Sequence, residues 1–132
     1  MYVRELIRTH IPTASPEMSL QEVLDIMDIH QLVLVPIVRH DGTLLGTFGE
    51  ENIERLLKEP SDTSTQQNDI ALLINRDIPV LKEESSVEEA IGYVQRHGCH
   101  RLVVVDDKGK VVGLVSIVDI YRAKLGERNA RE

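Results

Sequence analysis

The chain has 132 residues, with 15 Lys and Arg against 22 Asp and Glu, a formal net charge of −7. That length suits one compact unit or two small halves sharing a core, and the acidic balance lacks the basic surface that counterion release on a nucleic acid requires. Hydrophobic residues at 42% predict a globular protein, aromatics at 3% predict an aliphatic core, and the single cysteine, Cys99, excludes an intrachain disulfide. The opening MYVRELIRTHIPT lacks the apolar run of a signal peptide, and no apolar stretch approaches the ~20 residues of a membrane span. A soluble cytoplasmic protein is expected, with neither nucleic acid nor membrane as partner.

In chain order, a short strand is predicted near Pro12. Ser19 and Glu22 then form an S-x-x-E capping box. It opens an amphipathic helix with Leu20, Val23, Leu24 and Met27 on one stripe. Gln31 follows, so this helix is expected to end without a glycine. "LVLVPIV" (32–38) and "TLLGTF" (43–48) read as buried strands around an Asp41-Gly42 turn, and a helix closes near 50–58. The polar stretch 59–69 reads as a linker. A second short strand is predicted near Pro79. Ser86 and Glu89 cap a helix with Val87, Ala90, Ile91 and Val94 on its stripe, ended by Gly98. "RLVVV" (101–105), a Lys108-Gly109 turn, "KVVGLV" (110–115) and a helix near 117–125 complete the chain.

These are two copies of one pattern. Gly46 and Gly113 stand 67 residues apart, and the same offset superposes Gly42 on Gly109, Ile11-Pro12 on Ile78-Pro79 and His30 on His97, with no gap from residue 11 to residue 55. The predicted fold class is α/β (α+β type): two β-α-β-β-α repeats, 8–58 and 70–126, packed sheet to sheet with pseudo-twofold symmetry. One copy alone has too little core to be stable.

"GLVSIVD" (113–119) fits a G-x-x-[ST]-x-x-D ending, and two ordered copies carry it or its remnant. On these residues the chain resembles the cystathionine-β-synthase (CBS) domain family, whose tandem pairs are called Bateman modules. "HRLVVVD" (100–106) is similar to the last CBS repeat of the AMP-activated protein kinase gamma subunit. The resemblance implies an adenosyl ligand between paired repeats: AMP, ADP, ATP or S-adenosylmethionine. It implies that Asp119 takes the ribose hydroxyls and Ser116 the phosphate, with the basic pair His100 and Arg101 also facing phosphate. Backbone near the first strand is implied to contact adenine, and Ile11, Pro12, Leu32 and Val33 are implicated on the first-copy side of the same cleft.

Elementary chemistry agrees. A carboxylate accepts two hydrogen bonds from a vicinal diol, a helix start favours an anion, and an arginine grips phosphate with two donors. Simpler roles stand beside these. Asp119 and Ser116 also suit a helix start, Arg101 suits an ion pair with Asp106 or Asp107, and His100 suits a polar strand end. "HGCH" (97–100) offers metal-binding residue types, but strand alternation separates Cys99 from His100 and no distant cluster completes a site. Cys99 reads as a small buried hydrophobe.

No nucleophile–base–orienter set stands out, so an enzyme is not expected. The expected function is a regulatory adenine-nucleotide-binding CBS pair that modulates an unknown partner protein. The alternatives are a ligand-free scaffold for protein association and an S-adenosylmethionine sensor. The faces carrying Ile53, Leu56 and Leu57, and Ile117, Ile120 and Tyr121, predict a homodimer. At the 67-residue offset Asp119 faces Asn52, Ser116 faces Gly49 and His100-Arg101 faces Val33-Leu34. One competent half-site, in the second copy, is therefore expected.

Overall fold

The computed structural model describes residues 1–58 and 70–131. The predicted linker 59–69 lies outside the described residues. Their element order is α1 (Leu20–His30), β1 (Leu34–Val38), β2 (Leu44–Gly49), α2 (Glu50–Lys58), β3 (Val80–Lys82), α3 (Val87–His97), β4 (Arg101–Val105), β5 (Val111–Ser116) and α4 (Ile117–Arg131). Single 3-10 turns stand at Val3–Glu5 and Ile70–Leu72. The α/β class holds, and helix α4 runs past its predicted end at 125.

Both hairpins are antiparallel. Each carries a register shift at the same place, between Ile37 and Val38 and between Val104 and Val105. Gly42 (φ 88°) and Gly109 (φ 82°) supply the left-handed residue that both turns require. Strand β3 adds to β4 in parallel, with Leu81 opposite Val104.

The matching first strand of the opening copy is not formed. It is reduced to one bridge, Ala14 to Ile37. Prolines explain the loss. Ala14 N–H reaches the Pro36 carbonyl at 3.0 Å and its carbonyl accepts from Val38 at 2.8 Å. The next rung needs an N–H from residue 16, which is proline. Its counterpart Glu83 donates to the Val105 carbonyl at 3.2 Å. On the other side Pro36 has no N–H to offer Pro12.

Helix α1 begins with Ser19 Oγ accepting from Glu22 N–H at 3.1 Å, but the reciprocal bond of the predicted capping box is not formed. At α3 both halves are present, between Ser86 and Glu89. The two helices also end alike. Gln31 takes the left-handed conformation (φ 55°) that Gly98 takes with φ 63°. Helix α1 thus ends without a glycine, as expected, yet in the same left-handed conformation. Gln31 Nε2 donates to the Asp28 carbonyl at 2.8 Å, which offsets part of the cost of a side chain there.

The chain forms two compact units, Met1–Ile11 with Pro79–Glu132, and Pro12–Ile78. They do not coincide with the sequence repeats, because the segment leading into each repeat packs on the body of the other. In the first unit Arg8 bridges Leu114 through hydrogen bonds of 2.8 and 3.2 Å, and Val3 is fully buried with Leu81, Leu102, Val104 and Val115. In the second unit Asn75 bridges Thr47 through two bonds of 2.8 Å, and Ile70 is buried with Val35, Ile37 and Phe48. The offset is again 67. Gly113 and Gly46 make the approach possible: a Cβ on Gly113 would stand 2.6 Å from the Arg8 carbonyl oxygen, and one on Gly46 would meet the Asn75 carbonyl. Helices α3 and α4 pack together in the first unit.

Candidate functional site

Four of the predicted residues come together at one end of the β4–β5 hairpin. Arg101 lies directly opposite Ser116 in the antiparallel register. Residues so paired share a face of the sheet. The His100 carbonyl accepts from the Ile117 N–H at 2.9 Å, tying the strand entry to the start of α4. His100 and Arg101 are exposed, and Ser116 and Asp119 are half-buried. Among the described residues Arg101 has no ion pair, so the pairing considered with Asp106 or Asp107 is not made. The Asp106 carboxylate accepts instead from its own turn, at Lys108 N (2.9 Å) and Lys110 N (3.0 Å).

Ser116 and Asp119 cap α4 reciprocally. Ser116 Oγ accepts from Asp119 N–H at 3.2 Å, while Asp119 Oδ2 accepts from Ser116 Oγ at 2.9 Å and Ser116 N–H at 3.3 Å. A third donor, absent from the sequence reading, is Arg8, whose Nε stands 3.5 Å from the same Oδ2. Arg122 Nη1 stands 3.9 Å from Oδ1. Oδ2 is thus crowded, while Oδ1 accepts no hydrogen bond among the described residues. The Asp119 side chain is 11% exposed. Burial pushes its carboxyl up, but the Ser116 hydroxyl and N–H, then the Arg8 guanidinium, outweigh this and hold it below its ordinary value.

This geometry changes one detail. The start of α4 is less available to an anion than its sequence implies, because the N–H groups of Ile117 and Asp119 are already used. Positive charge at this end comes from side chains.

The corresponding end of the β1–β2 hairpin is built differently. Asn52, 4% exposed, takes the place of Asp119. Its carbonyl oxygen accepts from Gly49 N–H at 3.0 Å and its Nδ2 donates to the Leu73 carbonyl at 2.8 Å. The Val33 carbonyl accepts from Glu50 N–H at 3.0 Å, as that of His100 does from Ile117. Leu32 packs against the core of its unit, and Val33, Ile11 and Pro12 are half-buried. Ile11 and Pro12 fall on either side of the division between units. Cys99 is half-buried against the first unit's core. Among the described residues no cluster of His, Cys, Asp and Glu could hold a metal, and no helix is long and apolar enough to cross a membrane.

Arg8 was legible only in part. At the offset of 67, Val3, Leu6 and Ile7 fall on Ile70, Leu73 and Ile74. This apolar match extends the repeat back to residue 3, and it carries Arg8 into the ordered body.

The model of the CBS domain family matches residues 3–59 and 69–126. An inosine-5′-monophosphate dehydrogenase of Methanocaldococcus jannaschii is 22% identical over 97% of this chain and 24% of its own length. The chain spans about a quarter of the first curated relatives it matches. Among solved structures, CBSX2 of Arabidopsis thaliana in complex with AMP superposes with a TM-score of 0.81 at 18% identity, over 96% of this chain and 98% of that one. The CBS domain pair of protein MJ0100, in complex with 5′-methylthioadenosine and S-adenosyl-L-methionine, gives 0.77 at 23% identity, over 96% and 98%.

Proposed function

The chain belongs to the CBS domain family, and on that premise we propose that it is a regulatory module that senses an adenine nucleotide (AMP, ADP or ATP) and modulates a partner protein, without chemistry of its own. One observation carries the reading. A mostly buried, ionised carboxylate keeps one oxygen, Asp119 Oδ1, open to a donor, with arginines on either side. A ribose hydroxyl supplies that donor, and Arg101 and His100 meet the phosphate. The AMP held by one structural relative and the S-adenosylmethionine held by another support the adenosyl class. The arginines favour phosphate within it.

A second reading is a ligand-free scaffold. The reciprocal cap between Ser116 and Asp119 already gives both residues a structural role. Isothermal titration with AMP, ATP, adenosine and S-adenosylmethionine separates the readings. Nucleotide binding near one per chain, abolished in Asp119→Ala while the variant still melts cooperatively, supports the sensor. Silence with all four ligands supports the scaffold.

A further inference from the structure

We propose that Arg8 sets the charge selectivity of this site, favouring an adenosyl ligand that bears phosphate over one that bears a sulfonium cation. The inference rests on the adenosyl reading above. Arg8 is fixed by its backbone, through the paired bonds to Leu114. Opposed residues in an antiparallel bridge share a face, as do residues two apart in a strand. Arg8, Leu114, Ser116 and Arg101 therefore face the same way.

Arg8 approaches Asp119 through Nε, and its side chain is 70% exposed. A guanidinium has five N–H donors in a fixed fork, so the terminal ones remain for an incoming oxyanion. The backbone at the start of α4 offers less in their place, since Ile117 and Asp119 have spent their N–H groups. Arg8 and Arg122 flank a single carboxylate and Arg101 stands opposite Ser116, a local excess of cations in a chain whose net charge is −7. A sulfonium brought here meets repulsion, and a phosphate meets donors. At the matching place in the other unit stands Asn75, which has no charge. The position, and not the fold, decides the selectivity.

The test is calorimetric titration of the full chain with AMP, adenosine and S-adenosylmethionine, in the wild type, Arg8→Ala and Arg8→Gln. Arg8→Gln keeps a polar side chain with the aliphatic stem and loses the charge, so it carries the test if the alanine variant fails to fold. AMP should weaken roughly tenfold, adenosine should change by less than about twofold, and S-adenosylmethionine should tighten. Equal losses for AMP and adenosine, or unchanged AMP affinity, would overturn the role of Arg8 and leave the adenosyl reading standing. A wild type that binds none of the three would remove that reading and this inference with it.

Discussion

Asp119 and Asn52 occupy equivalent places 67 residues apart and differ by one atom type. Asn52 is neutral and has both ends of its amide bonded, so nothing about it titrates. Asp119 is charged, and its carboxyl is held below its ordinary value by Ser116 and Arg8 against the opposing push of burial. A carboxyl whose value is lower in the folded state stabilises the fold above its unfolded value, about 3.9. That contribution is lost as pH falls through the lower, folded value. Thermal melts from pH 7 to pH 3 should therefore show wild-type stability level near neutrality and falling in acid. Asp119→Asn should lower Tm at pH 7, with the gap from wild type closing toward pH 3. A gap of constant size would mean that the carboxylate charge is not what Ser116 and Arg8 hold.

Among the elements, the leading segments matter most. Each buries one aliphatic side chain, Val3 or Ile70, worth about 1.5–3 kcal/mol if fully transferred from water. Each lies along a strand only because a glycine leaves room. Gly113→Ala would drive a Cβ against the Arg8 carbonyl at 2.6 Å and the Ile7 Cβ at 3.2 Å. Displacing the segment should cost about 1–3 kcal/mol. Gly92, inside α3, is the control, since its added Cβ meets only the far end of Arg96 at 4.0 Å. Gly92→Ala should stabilise by about 0.5–1 kcal/mol. Denaturant melts of both variants check the pair, and a matching sign would discard the packing account of Gly113. The segment also carries Arg8, so Gly113→Ala should weaken AMP as well.

At the scale of the whole molecule, the apolar faces differ from those the sequence suggested. Ile120 is buried in its unit's core, and Ile53 and Leu56 pack against theirs. The exposed residues are Leu57 on α2, and Val118, Tyr121 and Leu125 on α4, where the last three lie on one stripe. A second copy covering that stripe is the expected assembly, since isologous dimers match a patch with itself. Light scattering should give twice the mass of the chain, and Tyr121→Glu with Val118→Glu should shift the protein to a monomer that still melts cooperatively. A wild type that stays monomeric at every concentration would count against the dimer.

The sequence by itself determined the local parts, because their causes are local. The caps at Ser19 and Ser86, the turns at Gly42 and Gly109, and the strand and helix periods all follow from a few neighbouring residues. The repeat was legible because two copies had to solve one packing problem with similar side chains. What only the tertiary structure decided depends on groups far apart in the chain. No local pattern says that residues 1–11 pack with 79–131, since that follows from Gly113 lacking a Cβ and from Val3 filling a core with Leu81, Leu102 and Val104, far along the chain. Pro16 and Pro36 end a strand only once the register sets their missing N–H groups on the rungs either side of Ala14. Asp119 was readable as a residue, but the division between its crowded and open oxygens was not. That division depends on Arg8, which the chain brings alongside from more than 100 residues away.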